Sequence, residues 1–363
     1  MPRMFDILRG KNKPQEEDFS NDKKPEPQPK DQPLAFPKEI LKLDIKKEKK
    51  PENHTLISKK LISAVRKHGV DNQEKASEIY GNGVETVKAL LVKVRNGEDI
   101  SQYMDRLYEL LDNVFNQLVM GDNILNDIYG NKKEEYFLPE HIINVLILSS
   151  VIALNMGFNK SRLSHLGLAS IFYDVGMDAL RDITDQPRML TKEEYSRIKN
   201  HIPQSLEIVE KIDNINEVVK ETIRMHHEKV SGYGYPSGIK YDEINPYAKI
   251  LGLVDTYEAI THNRPYREGM TTHKAVRFLV TSLKSDFDAD VVKVFINKMS
   301  VYPIGSIVTL DTGEVARVIS VQSGSPMRPA VMILRNPEGE PVSERIIIDL
   351  SKQAFPSIRE SII

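Results

Sequence analysis

The chain has 363 residues, and its 50 Lys and Arg residues against 52 Asp and Glu residues give a formal net charge of −2. A charge this balanced argues against binding nucleic acid through a broad basic field. The sequence has no cysteine, which excludes disulfide bonds and thiolate metal sites, so any metal must be held by His, Asp or Glu.

The apolar segments give no sign of a membrane protein. We find no apolar run of about 18 residues, the length that a spanning helix needs, and no signal-peptide pattern. We therefore expect no membrane span and a cytoplasmic protein.

The first third of the chain divides into two parts by composition. Residues 1–54 are rich in Pro, Lys and Glu and poor in large apolar side chains, which predicts a disordered tail. In residues 55–130 the apolar positions repeat at helical spacing and predict three or four helices, with Ser101 as an N-cap. Nothing catalytic is visible in either part.

Two apolar helices follow, and each contains one polar residue of interest. Pro139 is predicted in the first turn of a helix that runs to about residue 155, and His141 lies in that turn. Taken alone, His141 is more simply explained as a capping or surface histidine than as a ligand. A second buried helix is predicted over 164–175, with Asp174 in its apolar run. A buried carboxylate is costly unless a metal or another cation holds its charge.

Three histidines come next. Thr191 and Glu194 form a capping-box pattern that starts the helix leading to His201. His226 and His227 end a later helix, and a loop rich in Gly and Pro follows at once. Adjacent helical residues point about 100° apart. The pair therefore suits two neighbouring metals, or one metal and one substrate, better than a single ion.

The last part of the chain changes from helix to strand. Pro246 starts a helix in which Asp255 lies among apolar neighbours, so the argument made for Asp174 applies again. Two further helices are predicted over 272–283 and 289–299. The four short strands predicted after them form a small β appendage without a basic and aromatic face, so nucleic-acid binding is not expected.

The central motif resembles that of a known family. The pattern HHExxxGxGYPxG begins at His226, and the later Asp255 is followed nine residues on by Arg-Pro-Tyr-Arg. This arrangement resembles the HD-GYP family, bacterial cyclic di-GMP phosphodiesterases among the HD metal-dependent phosphohydrolases. The predicted fold is mostly α: an HD-type helical bundle over 131–300, after an N-terminal helical region over 55–130 and before a small C-terminal β appendage over 301–363.

The resemblance also implies a set of metal ligands. One ion of the family is held by residues matching His141, Asp174 and Asp255, together with a histidine whose place Tyr173 takes here. The second ion is held by residues matching Asp174, His201, His226 and His227. We expect one or two Fe or Mn ions bridged by Asp174, with the second site intact and the first one weakened. Tyr173 either ligates a ferric ion as phenolate or packs into the gap.

The resemblance implies substrate contacts as well. Arg264 and Arg267 would grip nucleotide phosphates, and Tyr235 would lie on the substrate or donate to a phosphate oxygen. Without the resemblance, the arginines are more simply explained as solvated or helix-capping, and Tyr235 as part of a rigid loop. Met177 replaces a lysine that contacts phosphate in relatives, and Phe137 replaces a glutamate that helps to hold a third ion. A third ion is therefore not expected.

Three functions are compatible with these residues. The first is a metal-dependent phosphodiesterase, weakened at Tyr173 and Met177, that hydrolyses cyclic di-GMP to pGpG or GMP. The second is a catalytically inactive module that binds cyclic di-GMP or a protein partner in bacterial second-messenger signalling. The third is a scaffold that meets a protein partner through its N-terminal tail or its β appendage. Metal content distinguishes the third from the other two.

Overall fold

A computed structural model describes residues 69–120, 124–128, 137–264, 267–298, 301–302, 305–321, 325, 327–342, 344 and 346–361. The tail expected over 1–54 and the start of the predicted N-terminal helical region lie outside these residues. The expected boundaries near 130 and 300 also fall at residues outside the described part, so both stay predictions.

The described N-terminal and central residues are almost wholly helical, which confirms the predicted mostly α fold. Two 3₁₀ helices lie between these elements: Ser101–Tyr103 before α2, and Val175–Leu180 between α5 and α6. The α-helices, in chain order, are α1 (Gly69–Arg95), α2 (Met104–Met120), α3 (Leu125–Ile128), α4 (Leu138–Asn155), α5 (Lys160–Phe172), α6 (Arg181–Thr184), α7 (Lys192–Ile198), α8 (His201–Glu210), α9 (Glu217–Met225), α10 (Pro246–Thr261), α11 (Thr272–Thr281) and α12 (Ala289–Lys298).

Helix α4 lies at the centre of the bundle. It has Pro139 in its first turn, as predicted, and it packs against α1, α5, α10 and α12. Contrary to the expectation that no apolar run is long enough to span a membrane, α4 is, among the described helices, the one that is long and apolar enough, and 83% of it is buried inside the protein. Neighbouring helices therefore cover its apolar surface. Its buried polar residues, His141 and Asn144 among them, find their partners within the bundle.

Helix α5 begins four residues earlier and ends three residues earlier than predicted. The hydroxyl of Ser205 accepts a hydrogen bond from Gly176 N (2.9 Å) and donates one to Tyr173 O (2.9 Å). These bonds satisfy backbone groups where the α-helix stops and the 3₁₀ helix begins. Asp174 therefore lies in the junction between two helices and not inside one, contrary to the prediction.

Two other predicted helix starts had different outcomes. The capping box before α7 is confirmed: Thr191 Oγ1 accepts from Glu194 N (3.1 Å), and the Glu194 carboxylate accepts from Thr191 N (2.8 Å). The helix that follows does not extend to His201, which is the first residue of α8. Ser101 is not an N-cap. Its own N–H donates to the Asp99 carboxylate (2.9 Å), and the 3₁₀ helix begins there.

The C-terminal residues form an antiparallel sheet of strand order β4-β3-β2-β1-β5, which confirms the predicted β appendage. The sequence predicts the first four strands but not β5, whose residues Arg359 and Glu360 interrupt any apolar run. Strand β5 nevertheless pairs with β1, Val308 lying opposite Ser361. The strands are β1 (Ile307–Leu310), β2 (Val315–Ser320), β3 (Ala330–Arg335), β4 (Ile347–Asp349) and β5 (Ile358–Ser361).

Candidate metal centre

Three histidines from two helix ends meet beside Asp174. His201 is the first residue of α8, and His226 and His227 directly follow α9. The ring centroids of His201 and His226 lie 5.3 Å apart, and those of His226 and His227 lie 4.1 Å apart. Each ring offers a nitrogen, and these nitrogens all lie within 4.8 Å of one another. We call His201, His226 and His227 the histidine cluster, and it could hold a metal ion.

Contacts with backbone carbonyls determine which ring nitrogens of this cluster are available to bind a metal. Nδ1 of His201 lies 2.7 Å from Ile198 O, and Nδ1 of His226 lies 2.7 Å from Ile223 O. A carbonyl oxygen can only accept, so each Nδ1 carries the proton, an arrangement common in metal-binding histidines. The two Nε2 atoms, which face each other at 3.3 Å, are then both acceptors. Two lone pairs at that distance repel unless a cation or a proton lies between them.

The carboxylate of Asp174 completes this arrangement. Its Oδ1 lies 3.3 Å from His201 Nε2 and 3.9 Å from His226 Nε2. That oxygen is buried and has no hydrogen-bond donor among the residues that the structure describes. Burial raises the pKa of Asp174, but the neighbouring imidazoles, His201 foremost, outweigh it and bring the pKa down to about 2. An ionised, incompletely satisfied carboxylate beside unprotonated nitrogens fits a transition-metal ion.

Two imidazoles of the cluster, those of His226 and His227, are held neutral. Burial, with the neighbouring His201 imidazole as the next cause, lowers the pKa of His226 to about 4. Burial also lowers the pKa of His227 well below its ordinary value, with His226 as the next cause. Because only neutral imidazole can ligate a metal, both rings are in their ligating form at neutral pH.

A second group of potential ligands lies across Asp174 from the histidines. His141 comes from the first turn of α4 and Asp255 from the middle of α10. Nε2 of His141 lies 3.4 Å from Asp174 Oδ2 and 3.2 Å from Asp255 Oδ1. We call His141, Asp174 and Asp255 the carboxylate cluster. The structure thus brings the six predicted ligands together, in two groups that meet at Asp174, and metal binding by them stays a prediction.

Tyr173 lies inside the carboxylate cluster. Its hydroxyl is 2.7 Å from His141 Nε2 and 3.4 Å from Asp255 Oδ1. The side chain is fully buried, and its ring packs edge-on against His226 at 5.0 Å between centroids. Burial, with the adjacent charge of Asp174, raises the pKa of Tyr173 well above its ordinary value, so the phenol keeps its proton.

The sequence reasoning missed Glu258, which holds the other side of His141. Its carboxylate bonds His141 Nδ1 and also accepts from Asn144 Nδ2 (3.0 Å) and from Arg264 Nη2 (3.1 Å). Burial lowers the pKa of His141, but the charge of Glu258 outweighs it and raises the pKa well above its ordinary value. The sequence signal for Glu258 was that it is a second acidic residue in the apolar helix α10, one turn after Asp255.

The Gly-Tyr-Pro loop folds back over the histidine cluster. Tyr235 stacks on the His227 ring with centroids 4.6 Å apart and an interplanar angle of 28°. The carboxylate of Glu228 fixes the loop, accepting from Ser237 N (2.6 Å) and Gly238 N (3.1 Å). Glycine is needed at position 234, where a Cβ would collide with the backbone of Glu228. The loop is therefore held in one position against the helix end.

Comparisons with known proteins agree with this geometry. Residues 123–291 match the family described as HD domain, and residues 307–362 match a KOW domain associated with HD domains. A cyclic di-GMP phosphodiesterase of Pseudomonas aeruginosa is 24% identical over 268 residues, which are 73% of this chain and 64% of that protein. One of Borreliella burgdorferi is 26% identical over 198 residues, 54% of this chain and 52% of that protein. Residues 123–291 are an HD domain, and these relatives support the resemblance of the chain to the HD-GYP family.

A solved structure supports the HD-type fold of this chain. An HDG"Y"P protein from Bdellovibrio bacteriovorus superposes with a TM-score of 0.50 at 16% identity, covering 65% of this chain and 76% of that one. The chain spans about half to two thirds of the length of the two curated relatives.

The two arginines predicted to bind phosphate lie beside the end of α10. The Arg264 side chain is 8% exposed, pairs with Glu258 and lies over the Phe137 ring at 4.1 Å from its centroid. Arg267 donates to the backbone oxygens of Ile260 (3.3 Å) and Ala259 at the C-terminal end of α10. These contacts match the alternative explanation from the sequence, in which Arg267 caps a helix. Phosphate binding by either arginine stays a prediction.

The 3₁₀ helix contains no lysine where the family resemblance implies one, but two other lysines lie near the histidine cluster. Lys199, two residues before His201, places its Nζ 5.0 Å from the centroid of the Tyr235 ring. Lys229 follows the His-His-Glu segment and places its Nζ 4.3 Å from the centroid of the Phe287 ring. The sequence reasoning singled out neither lysine.

Proposed function

We propose that this chain is a metal-dependent phosphodiesterase that hydrolyses cyclic di-GMP to linear pGpG or GMP. The observation on which the proposal rests is the pair of Nε2 atoms of His201 and His226, facing each other at 3.3 Å beside the unsatisfied Asp174 oxygen. This donor set of nitrogen and oxygen suits Fe or Mn. The similarity to named cyclic di-GMP phosphodiesterases supports the substrate class.

Each part of the site has a role in this proposal. His201, His226, His227 and Asp174 would hold the ion, which when bound supplies the Lewis acid for phosphoryl transfer. Tyr235, flat against His227, offers an aromatic face to a nucleobase and a hydroxyl to a phosphate oxygen. Lys199 adds a positive charge next to that face, which favours an anionic substrate.

The proposed enzyme is a slow one. Met177 cannot contact a phosphate oxygen or protonate a leaving oxygen, and the loss of a general acid typically costs about 10²–10⁴ in rate. The guanidinium of Arg264 is shared with the buried carboxylate of Glu258, which competes with a substrate phosphate for it. Turnover is therefore expected on a scale of minutes to hours.

A single-turnover assay tests the proposal. The full chain is purified without oxygen, loaded with Fe or Mn, mixed with less than one equivalent of cyclic di-GMP and followed by chromatography. We expect pGpG or GMP to form with the wild type and with Asp182→Ala, whose carboxylate lies at the surface. Asp174→Ala should form neither product. Unchanged nucleotide after hours in the loaded wild type would refute the proposal.

A second function is favoured by Tyr173 and Met177, which both remove groups that hydrolysis uses in the relatives. In this case the chain binds cyclic di-GMP without cleaving it and passes the bound state to a partner. Equilibrium dialysis of the same loaded protein distinguishes the two functions. Micromolar binding with full recovery of intact nucleotide would support the binding module, whereas recovery of linear product supports the enzyme.

A further inference from the structure

We propose that the hydroxyl of Tyr173 takes the place of one metal ion, so that this chain holds a single ion in its histidine cluster instead of a pair. The inference rests on the proposed metal centre and specifies how many ions it holds. It differs from a ligand role for Tyr173, which would leave room for two ions.

The phenol oxygen of Tyr173 lies where a metal ion of the carboxylate cluster would bind. A metal held by the carboxylate cluster would lie about 2.0–2.2 Å from His141 Nε2 and from a carboxylate oxygen. The Tyr173 hydroxyl already lies 2.7 Å from that nitrogen and 3.4 Å from Asp255 Oδ1. The hydrogen bond to Nε2 uses the same direction that a metal would use. The neutral phenol and an ion therefore exclude each other.

The Tyr173 side chain cannot move aside at low cost in free energy. Its side chain is fully buried, and its ring packs against the rings of His226 and His141. Its backbone is held at both ends, since Tyr173 N donates to Ala169 O and Ser205 donates to Tyr173 O, each at 2.9 Å. Displacing the phenol would require the end of α5 to open.

The two clusters differ in whether protein groups already satisfy their ligand atoms. In the carboxylate cluster His141 already lies between carboxylates: Glu258 meets its Nδ1, and Asp255 and Asp174 lie near its Nε2. In the histidine cluster two ring nitrogens face each other, and Asp174 Oδ1 has no donor among the described residues. Protein groups therefore satisfy the carboxylate cluster, whereas the histidine cluster requires a cation.

Metal counting tests the inference. The full chain is stripped of metal, reloaded with excess Mn(II), freed of unbound ion and measured for bound manganese per chain. We expect one ion in the wild type and two in Tyr173→His, which removes the hydroxyl and supplies an imidazole. The electron paramagnetic resonance spectrum should show an isolated Mn(II) in the wild type and a coupled pair in Tyr173→His.

A second pair of variants keeps the test decisive if Tyr173→His does not fold. His201→Ala should lose the ion, and His141→Ala should keep it. Two ions in the wild type would overturn the inference, as would an Fe(III)-loaded wild type with a phenolate charge-transfer band that Tyr173→Phe abolishes. One bound ion without turnover would refute the proposed function and leave this inference standing. Two bound ions with turnover would refute this inference and leave the proposed function standing.

Discussion

Nε2 of His201 and Nε2 of His226 lie 3.3 Å apart, and the Nδ1 atom of each ring is occupied by a backbone carbonyl. Neither ring can rotate to relieve the contact without giving up its 2.7 Å bond to Ile198 O or Ile223 O. The fold therefore holds two lone pairs against each other. A bound cation turns this repulsion into coordination.

The first prediction is that an ion stabilises the fold through these two rings. A ligand at 100 times its Kd stabilises the native state by about 2.7 kcal/mol. We expect Mn(II) or Fe(II) to raise the Tm of the metal-free wild type by several degrees, and to leave the Tm of His201→Ala unchanged. Differential scanning calorimetry measures both. Equal shifts in the two proteins would show that the ion binds elsewhere.

The second prediction concerns acid. Burial, followed by the neighbouring His201 imidazole, lowers the pKa of His226 from 6.5 to about 4. The unfolded chain therefore binds a proton at a higher pH than the folded protein does. The contribution of His226 to the free energy of unfolding is complete above about pH 6.5 and is lost as the pH falls to about 4. The loss is on the order of 3 kcal/mol.

Urea unfolding with a chelator present checks this dependence. The metal-free wild type should become less stable between pH 7 and pH 4.5, and His226→Gln, which cannot be protonated, should lose less over the same range. If both proteins follow the same curve, His226 is not a source of the acid sensitivity. A test without metal is required because an ion would itself compete with protons for the ring.

Sequence reasoning singled out most of the candidate metal ligands because their residue types were out of place. Asp174 and Asp255 stand in apolar runs, and His226 and His227 precede a loop with Gly and Pro. Such local contradictions are visible without any tertiary structure. The family resemblance then added His141, which on its own had an ordinary explanation.

The same reasoning could not place groups whose partners come from other helices. The role of Glu258 depends on the packing of α10 against α4, which brings its carboxylate to His141 and Asn144. The loss of a histidine at position 173 was visible, but the 2.7 Å contact of the tyrosine hydroxyl with His141 was not. Strand β5 was missed since pairing with β1 stabilises a segment that has little strand character of its own.

The third prediction is that Glu228 positions the Gly-Tyr-Pro loop. Its carboxylate accepts from Ser237 N and Gly238 N, and charge-assisted bonds contribute about 1.5–3 kcal/mol each. Glu228→Ala should lower the Tm and speed tryptic cleavage at Lys240, because the loop loses its anchor. The bound metal should stay, since no histidine is touched. Glu207→Ala, a change at the helix surface, is the control. Slow cleavage in Glu228→Ala would contradict this role.

The fourth prediction assigns part of substrate affinity to Lys199. Its ammonium lies 5.0 Å from the Tyr235 ring and 5.3 Å from the Tyr195 ring, beside the face on which a nucleotide would lie. Lys199→Met should raise the Kd for cyclic di-GMP roughly 10-fold, since about 1.4 kcal/mol corresponds to that factor. The difference should shrink in 0.5 M salt, which screens the charge.

Lys192→Met removes a matched charge from the exposed side of α7 and should leave the Kd unchanged. If the two lysine variants weaken binding equally, the effect is one of net charge and not of position. Fluorescent cyclic di-GMP in an equilibrium titration provides the measurement. The thermal unfolding of both variants is recorded alongside, so that a folding defect is not mistaken for lost affinity.

The most direct test of the account is the rate of cyclic di-GMP hydrolysis measured across a metal titration of the stripped wild-type chain. The account predicts that the rate rises in proportion to the first equivalent of Mn(II) or Fe(II) and stays level after it. Asp174→Ala should remain inactive at every point. A rate that needs a second equivalent would contradict the single-ion site, and a rate independent of metal would contradict the metal centre itself.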